Sequence, residues 1–334
     1  MKKALFIGGT GKISSACSAL AVAKGFDLTV LNRGNAMDPP PGVKHAIADI
    51  NDEQAVANII RDMYFDVIAD FIAFTPEQAE RSIRLFSGKT RQYIFVSSAS
   101  VYQKPLSYAV ITESTPTANP YWQYARDKIA IEERLRGEYR ANGFPITIVR
   151  PSHTYGNQSI PVCLHGAKGS YQVIKRILEG KPVIVPGDGT TWWTVTHNTD
   201  FAKGFTGLMG NAHAIGETFH ITSDESLTWN NIYDIIGGVL GRKVIKLHVS
   251  TDMLCKFNPE WEGGLTGDKC VSVRFDNSKL KRVVPDYCAV MRFDQGAEQA
   301  LEYILSHPEC QVLDPEFDAI CDRIAAAAER FGMQ

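Results

Sequence analysis

Ala4-Leu5-Phe6-Ile7-Gly8-Gly9-Thr10-Gly11-Lys12-Ile13-Ser14 is the stretch on which the chain's reading turns. An apolar run ends in glycines and opens into Ser15 to Lys24, a segment rich in Ala, Val and Leu. That order predicts strand, tight turn and helix. Such a turn directs backbone N–H groups and a helix N-terminus at one point, which suits a pyrophosphate. The spacing is G-x-x-G-x-x-S, so Ser14 stands where a third glycine is usual; serine is small enough for close helix–strand packing. Strand–glycine–helix turns also occur without a ligand, so the rest of the chain must decide.

Beyond the turn, strands and helices alternate. Strands are expected at Asp27–Asn32, Val43–Ala48, Asp66–Phe71, Gln92–Ser97 and Pro145–Val149. Helices are expected at Asp52–Asp62, Pro76–Phe86 and Pro120–Asn142, the second with proline near its first turn. This rhythm implies an α/β fold, a Rossmann-type doubly wound parallel sheet with helices on both faces. Ligands on such sheets sit at the carboxyl ends of the strands. Residues 1–156 form the expected dinucleotide-binding domain, with 191–222 returning to the sheet. Residues 157–334 form a smaller, mainly helical substrate domain with terminal helices near Asp294–Ser306 and Asp314–Arg330.

The 334 residues allow one large or two moderate domains. A formal net charge of −2 calls for no polyanionic partner, so nucleic acid is disfavoured. No apolar run is long enough to span a bilayer. Met1-Lys2-Lys3 before the apolar run reads as the start of a strand rather than a leader. Seven scattered cysteines, never in metal-ligand spacing, suggest reduced thiols and a cytoplasmic protein. No histidine or carboxylate cluster suggests a metal.

The ends of the strands carry the chemistry. After the second strand, Asn32-Arg33 replaces the acidic residue that would repel a 2′-phosphate and adds a cation to pair with one. That favours NADP over NAD; an ordinary turn with a solvated arginine is the alternative. Asp49 is placed to accept from an adenine amino group, or else to cap a helix, a role open to Asp52. After the fifth strand come Ser97-Ser98-Ala99-Ser100-Val101-Tyr102, and then Tyr124-Ala125-Arg126-Asp127-Lys128. The i,i+4 spacing puts Tyr124 and Lys128 on one helix face. An ammonium beside the phenol is expected to lower its pKa, so that Tyr124 exchanges a proton with a substrate alcohol oriented by Ser98.

These residues together resemble the extended short-chain dehydrogenase/reductase superfamily, in its NAD-dependent epimerase/dehydratase-like branch. Further matches are Arg150-Pro151-Ser152-His153-Thr154-Tyr155-Gly156, Pro186-Gly187-Asp188-Gly189, Val195-Thr196-His197-Asn198-Thr199-Asp200 and Asp276-Asn277-Ser278-Lys279. The resemblance implies Ser98, Tyr124 and Lys128 as the catalytic set, with Lys128 also on the nicotinamide ribose. It implies cofactor contacts from Gly8, Thr10, Gly11, Lys12, Ile13, Asn32, Arg33, Asp49, Ile50, Phe71, Ile72, Ala73, Val96, Tyr124, Lys128, Pro151 and His153. A sugar-like small molecule, possible as a nucleotide sugar, is the implied substrate, and a homodimer is an allowed assembly.

Three departures bear on the reaction. Dehydratases of the branch carry Asp-Glu after the catalytic hydroxyl, where this chain has Ala99-Ser100. The expected diphosphate-binding arginines are replaced by Thr190-Thr191-Trp192-Trp193 and by Thr266-Gly267-Asp268-Lys269, leaving Lys269 as the nearest counterpart. Trp192 and Trp193 suit stacking on a base or sugar, or simply a core. His153, His165 and His197 are open between substrate contact and packing. The resulting expectation is an epimerase acting on a secondary alcohol. A ketoreductase or dehydrogenase uses the same residues. A non-catalytic dinucleotide- or RNA-binding member of the same fold, a redox-sensing regulator or a protein resembling chloroplast stem-loop RNA-binding proteins at the second strand, is the remaining alternative.

Overall fold

The computed structural model describes residues 1–35 and 38–330. Strand β1 (Lys3–Ile7) enters the turn, and helix α1 (Ser14–Ala23) leaves it. The chain continues through β2 (Asp27–Asn32), β3 (Lys44–Ile47), α2 (Glu53–Ile59), β4 (Val67–Asp70), α3 (Pro76–Phe86), β5 (Tyr93–Val96), α4 (Gln123–Asn142) and β6 (Ile146–Pro151). Every element expected in residues 1–151 is present, with ends displaced by a few residues. Local chemistry sets several of these limits. Asp52 caps α2 through Ala55 N–H at 3.0 Å. Thr75 and Gln78 form a capping box at α3, with Pro76 opening the helix. Gly143, at φ 72°, ends α4 in the left-handed conformation that glycine adopts without penalty.

Seven strands form one parallel sheet, ordered Thr218–Ile221, β6, β5, β4, β1, β2, β3. Alternate residues of β1 serve opposite faces. Ala4 and Phe6 join Cys17, Val30, Phe201 and Phe205 in one apolar layer. Leu5 and Ile7 join Ile68, Ile83, Phe86, Phe95 and Ile131 in the other. Both faces are therefore covered, and β4 and β5 are buried along their whole length.

The C-terminal half departs from the expected division. Of residues 191–222, only Thr218–Ile221 joins the sheet, parallel to β6. Trp192–Trp193 pairs with Leu227–Thr228, and Val195–His197 pairs with His153–Tyr155, in separate two-stranded ribbons. A second core contains Val185, Trp193, Trp229, Tyr233, Leu301 and Phe317. It also takes Ala99, Tyr102 and Ile111 from the first half. Conversely Leu280, Val284 and Tyr287 pack into the sheet's own apolar layer. The two cores exchange segments because each apolar side chain goes where it loses most water contact, worth about 1.5–3 kcal/mol for a large one. The segment after β5 thus runs from the sheet's core, at Phe95, into the second, at Ala99 and Tyr102.

Candidate functional site

The glycine turn is held by a serine. Ser14 Oγ donates to Gly8 O at 2.6 Å and accepts from Gly11 N–H at 2.8 Å. Its hydroxyl closes the loop on itself, which explains serine where a third glycine is usual. Gly8 has φ +80°, and a Cβ there would lie 2.5 Å from Ile72 Cγ2. A Cβ on Gly9 would lie 2.5 Å from Val30 Cγ2. Only glycine permits this approach of loop to sheet.

Above the turn lies a cavity of about 480 Å³. It brings together Gly8, Thr10, Gly11, Asn32, Arg33, Asp49, Ile50 and Ile72. Asn32 Nδ2 donates to Thr10 Oγ1 at 3.3 Å, and its Oδ1 accepts from Gly34 N–H at 2.8 Å. Asn32 is thereby committed to ordering the loop, while Arg33 is exposed and makes no ion pair among the described residues. Asp49 accepts from Asn51 N–H at 2.9 Å and leaves the capping of α2 to Asp52.

Arg81 is a site residue that sequence reasoning missed. It is 4 % exposed, lines this cavity, and bonds Asn51 Oδ1 at 2.6 Å. Its Nε and Nη2 have no hydrogen-bond partner among the described residues. A buried guanidinium with donors unspent fits a polar ligand at this place. Its only signal in the sequence is an arginine on the α3 face that also carries Gln78 and Leu85.

Other residues implied by the resemblance lie elsewhere. The Phe71 ring packs on Phe6 and Phe205, with centroids 5.3 and 5.2 Å away. Only its backbone is left to face a ligand. Ile13 precedes α1. Lys12 lies in a neighbouring cleft with Asn157, His197 and Tyr303, and its carbonyl accepts from Asn198 Nδ2 at 2.8 Å.

A second cavity, about 280 Å³, lies past the ends of β5 and β6. Ser98, Tyr124, Pro151 and His153 all line it, together with Trp122, His165, Trp193, Asp268, Lys269 and Phe275. Ser98 Oγ accepts from Ser100 N–H at 3.2 Å and from Ser100 O–H at 2.9 Å. Both of those bonds are received, so its own proton is directed at the Tyr124 hydroxyl. Ala99 and Ser100 occupy the 3-10 turn Ala99–Val101 directly behind it.

Lys128 is buried, with Nζ donating to Ala73 O at 2.7 Å and Val96 O at 3.0 Å. Its ammonium stands 4.5 Å from the Phe74 ring centroid, 4.8 Å from that of Phe95 and 5.8 Å from that of Tyr124. Burial brings its pKa down to about 8, against the opposing pull of Asp70 and Glu132. The expectation of a phenol acidified by lysine is corrected here. Burial holds Tyr124 above the usual phenol value, the Ser98 hydroxyl lowers it, and the Asp268 charge raises it again. The Lys128 ammonium is directed at the carbonyls of Ala73 and Val96.

The helix face carrying Tyr124 and Lys128 continues to Glu132, one turn on. Glu132 accepts from Ser97 Oγ at 2.7 Å, Arg150 Nε at 2.8 Å and Arg150 Nη2 at 2.5 Å. Arg150 also stands over the Tyr102 ring, 4.6 Å from its centroid. Burial pushes the Glu132 carboxyl up, but Arg150 and Ser97 leave it below its ordinary value, so it is ionised. This ion pair fastens α4 to the ends of β5 and β6.

Asp268 was foreseen only as part of a four-residue resemblance. Its segment is brought to the cavity by Asn119 Nδ2, which donates to Ser100 O at 2.8 Å and Gly267 O at 2.7 Å. Burial raises the Asp268 carboxyl pKa, with Lys104 and Lys269 opposing. Trp192 lies outside the cavity, 42 % exposed, with the Arg274 guanidinium 4.9 Å from its ring centroid. Among the described residues no group of three or more His, Cys, Asp or Glu is disposed to hold a metal ion. No helix among them is long and apolar enough to cross a membrane.

Comparison with known proteins places this geometry in context. A model of the NAD dependent epimerase/dehydratase family matches residues 4–222. The chain is 23 % identical over 287 residues to 2′-dehydrokanamycin reductase of Streptomyces kanamyceticus, covering 85 % of this chain and 80 % of the relative. It is 25 % identical over 245 residues to the chloroplast stem-loop binding protein of 41 kDa b from Arabidopsis thaliana, covering 69 % and 61 % respectively. Its fold superposes on that of UDP-glucose 4-epimerase from Bifidobacterium longum, solved with NAD+ and UDP. There the TM-score is 0.71 and the identity 18 %, over 92 % of this chain and 99 % of that one.

Proposed function

Since the chain belongs to the NAD dependent epimerase/dehydratase family, we propose that it interconverts a secondary alcohol of a sugar-like substrate with the corresponding ketone. It is an NAD(P)-dependent enzyme of the short-chain dehydrogenase/reductase type. The observation that carries the substrate reading is the convergence of Ser98 and Tyr124 on one cavity, with Lys128 one turn along the same helix.

When bound, the dinucleotide supplies or accepts hydride. The first cavity fits it: Gly8, Thr10 and Gly11 would face its phosphates, Asp49, Ile50 and Arg81 its adenosine end. Lys128, freed from one of its two carbonyls, would reach the nicotinamide ribose. Ser98, whose hydroxyl bonds that of Tyr124, would turn its proton to the substrate oxygen and orient it. Tyr124 takes the alcohol proton in one direction and returns it in the other. Trp122, Trp193 and Phe275 supply aromatic faces suited to a sugar ring.

Two outcomes share these steps. In an epimerase the ketone turns in the cavity and is reduced on its other face, so no cofactor is consumed. A ketoreductase consumes NADPH, and similarity to 2′-dehydrokanamycin reductase over most of the chain favours this second reading. The test is to incubate the purified protein with UDP-glucose, UDP-glucuronic acid and 2′-dehydrokanamycin, each with NAD(P)+ and NADPH. Proton NMR reads inversion at a carbinol centre, and absorbance reads net cofactor oxidation. Neither signal with any of them would refute the reading.

The exposed Arg33 at the mouth of the first cavity supports NADP(H) as the preferred cofactor. Arg33→Ala is expected to narrow the preference by removing a charged hydrogen bond of about 1.5–3 kcal/mol. Titration of both cofactors checks this, and equal affinities in the parent protein would dispose of it.

Dehydration is not expected. Ala99 and Ser100 stand where an acid and a base are needed, and neither side chain exchanges protons at neutral pH. A nucleotide hexose incubated with the protein should yield no 4-keto-6-deoxy sugar by mass spectrometry.

A further inference from the structure

We propose that His153 recognises an oxygen acceptor on the substrate, and that Trp193 is the positioning residue that holds it in the one tautomer able to do so. The inference rests on reading the second cavity as the substrate site.

The tautomer follows from the chemistry of the partner. An indole N–H can only donate. Trp193 Nε1 lies 3.1 Å from His153 Nδ1. Nδ1 must therefore accept, and the proton of the neutral imidazole sits on Nε2. Trp193 is itself fixed: it is 3 % exposed and stacks on Trp229 at a centroid distance of 5.2 Å and 27° between planes. Both indoles meet the imidazole edge to face, with centroids 6.3 and 6.5 Å away. The ring is clamped in place as well as in tautomer.

It also stays uncharged. Burial takes the His153 pKa down to about 3, with Lys269, His165 and Lys12 acting in the same direction. The same cavity also holds the Asp268 carboxyl and the hydroxyls of Ser98, Ser152 and Tyr124. Nε2–H finds no protein partner among the described residues, and His153 lines the same cavity as Ser98 and Tyr124. An N–H donor here favours an oxygen carrying partial negative charge: a hydroxyl, a ring oxygen or a carbonyl.

Selective ¹⁵N-histidine labelling reads the tautomer without any substrate. The His153 ring is expected to show a protonated Nε2 and a bare Nδ1 throughout roughly pH 5 to 9. Trp193→Phe keeps the aromatic packing but removes the donor, so the signal should become tautomer-averaged. In kinetics with a sugar found by the assay above, His153→Leu should raise KM by roughly tenfold or more. His153→Gln, whose amide N–H reaches near the Nε2 position, should restore most of that loss. An Nδ1–H tautomer, or an imidazolium at about pH 6, overturns the inference whatever the assay finds. An unchanged KM for His153→Leu overturns it as well. Failure of every sugar alcohol and ketone in the assay refutes instead the functional reading beneath it. The tautomer measurement needs only the parent protein, so it stands even where a variant does not fold.

Discussion

Replacing Tyr124 with phenylalanine is expected to lower turnover by roughly 10²–10⁴-fold, the range typical of lost general acid–base catalysis. The ring packs against Trp122 at 4.9 Å and Phe74 at 6.4 Å between centroids. Phenylalanine keeps those contacts, so cofactor affinity should change little. Ser98→Ala should slow the chemical step in the same way. Lys128→Ala should behave differently, harming cofactor affinity and rate together, because it leaves the carbonyls of Ala73 and Val96 without their donor. Single-turnover rates and cofactor titrations separate these patterns. Unchanged turnover in Tyr124→Phe would end the enzyme mechanism drawn here and favour a non-catalytic binder. The similarity to a chloroplast stem-loop binding protein gives that outcome a concrete form.

Glu132→Ala is expected to be the most destabilising of these substitutions, by about 3–5 kcal/mol. The side chains of Arg150 and Glu132 are 2 % and 3 % exposed. Deleting the carboxylate leaves a buried guanidinium whose Nη1 already lacks a partner among the described residues. The loss should appear as a lower urea midpoint with little change in slope. The double replacement Glu132→Leu with Arg150→Met should recover much of it, since no charge is then stranded. A drop below about 1 kcal/mol for the single variant would contradict the buried-pair account. Activity should suffer as well, because the pair fastens the helix that presents Tyr124 and Lys128.

The order of strands and helices in residues 1–151 was legible from sequence. Apolar period and glycine, proline and Asx punctuation are local signals, and they agree with the burial found. Asp52 caps α2, the role that sequence left open between it and Asp49, and Asp49 lines the cavity. Resemblance in ordered motifs brought Ser98, Tyr124, Lys128, Pro151 and His153 to a common region, and four of these line one cavity. Lys128 lies just beneath it.

Only the tertiary structure decided what each group can do there. The i,i+4 spacing of Tyr124 and Lys128 says they share a helix face. It does not say that the ammonium spends itself on two backbone carbonyls from other strands. Arg81 is one arginine among many until β-strand ends fold a cavity over it. Asp268 reaches Tyr124 only because Asn119 ties two distant backbone segments together. The same holds for the domain limits, since which core receives Tyr102 or Leu280 depends on surfaces formed far away in sequence. Residue order therefore determined the fold class and the family of the site. Electrostatics, proton positions and the shape of the substrate cavity are pairwise properties of residues remote in the chain, and only folding sets those distances.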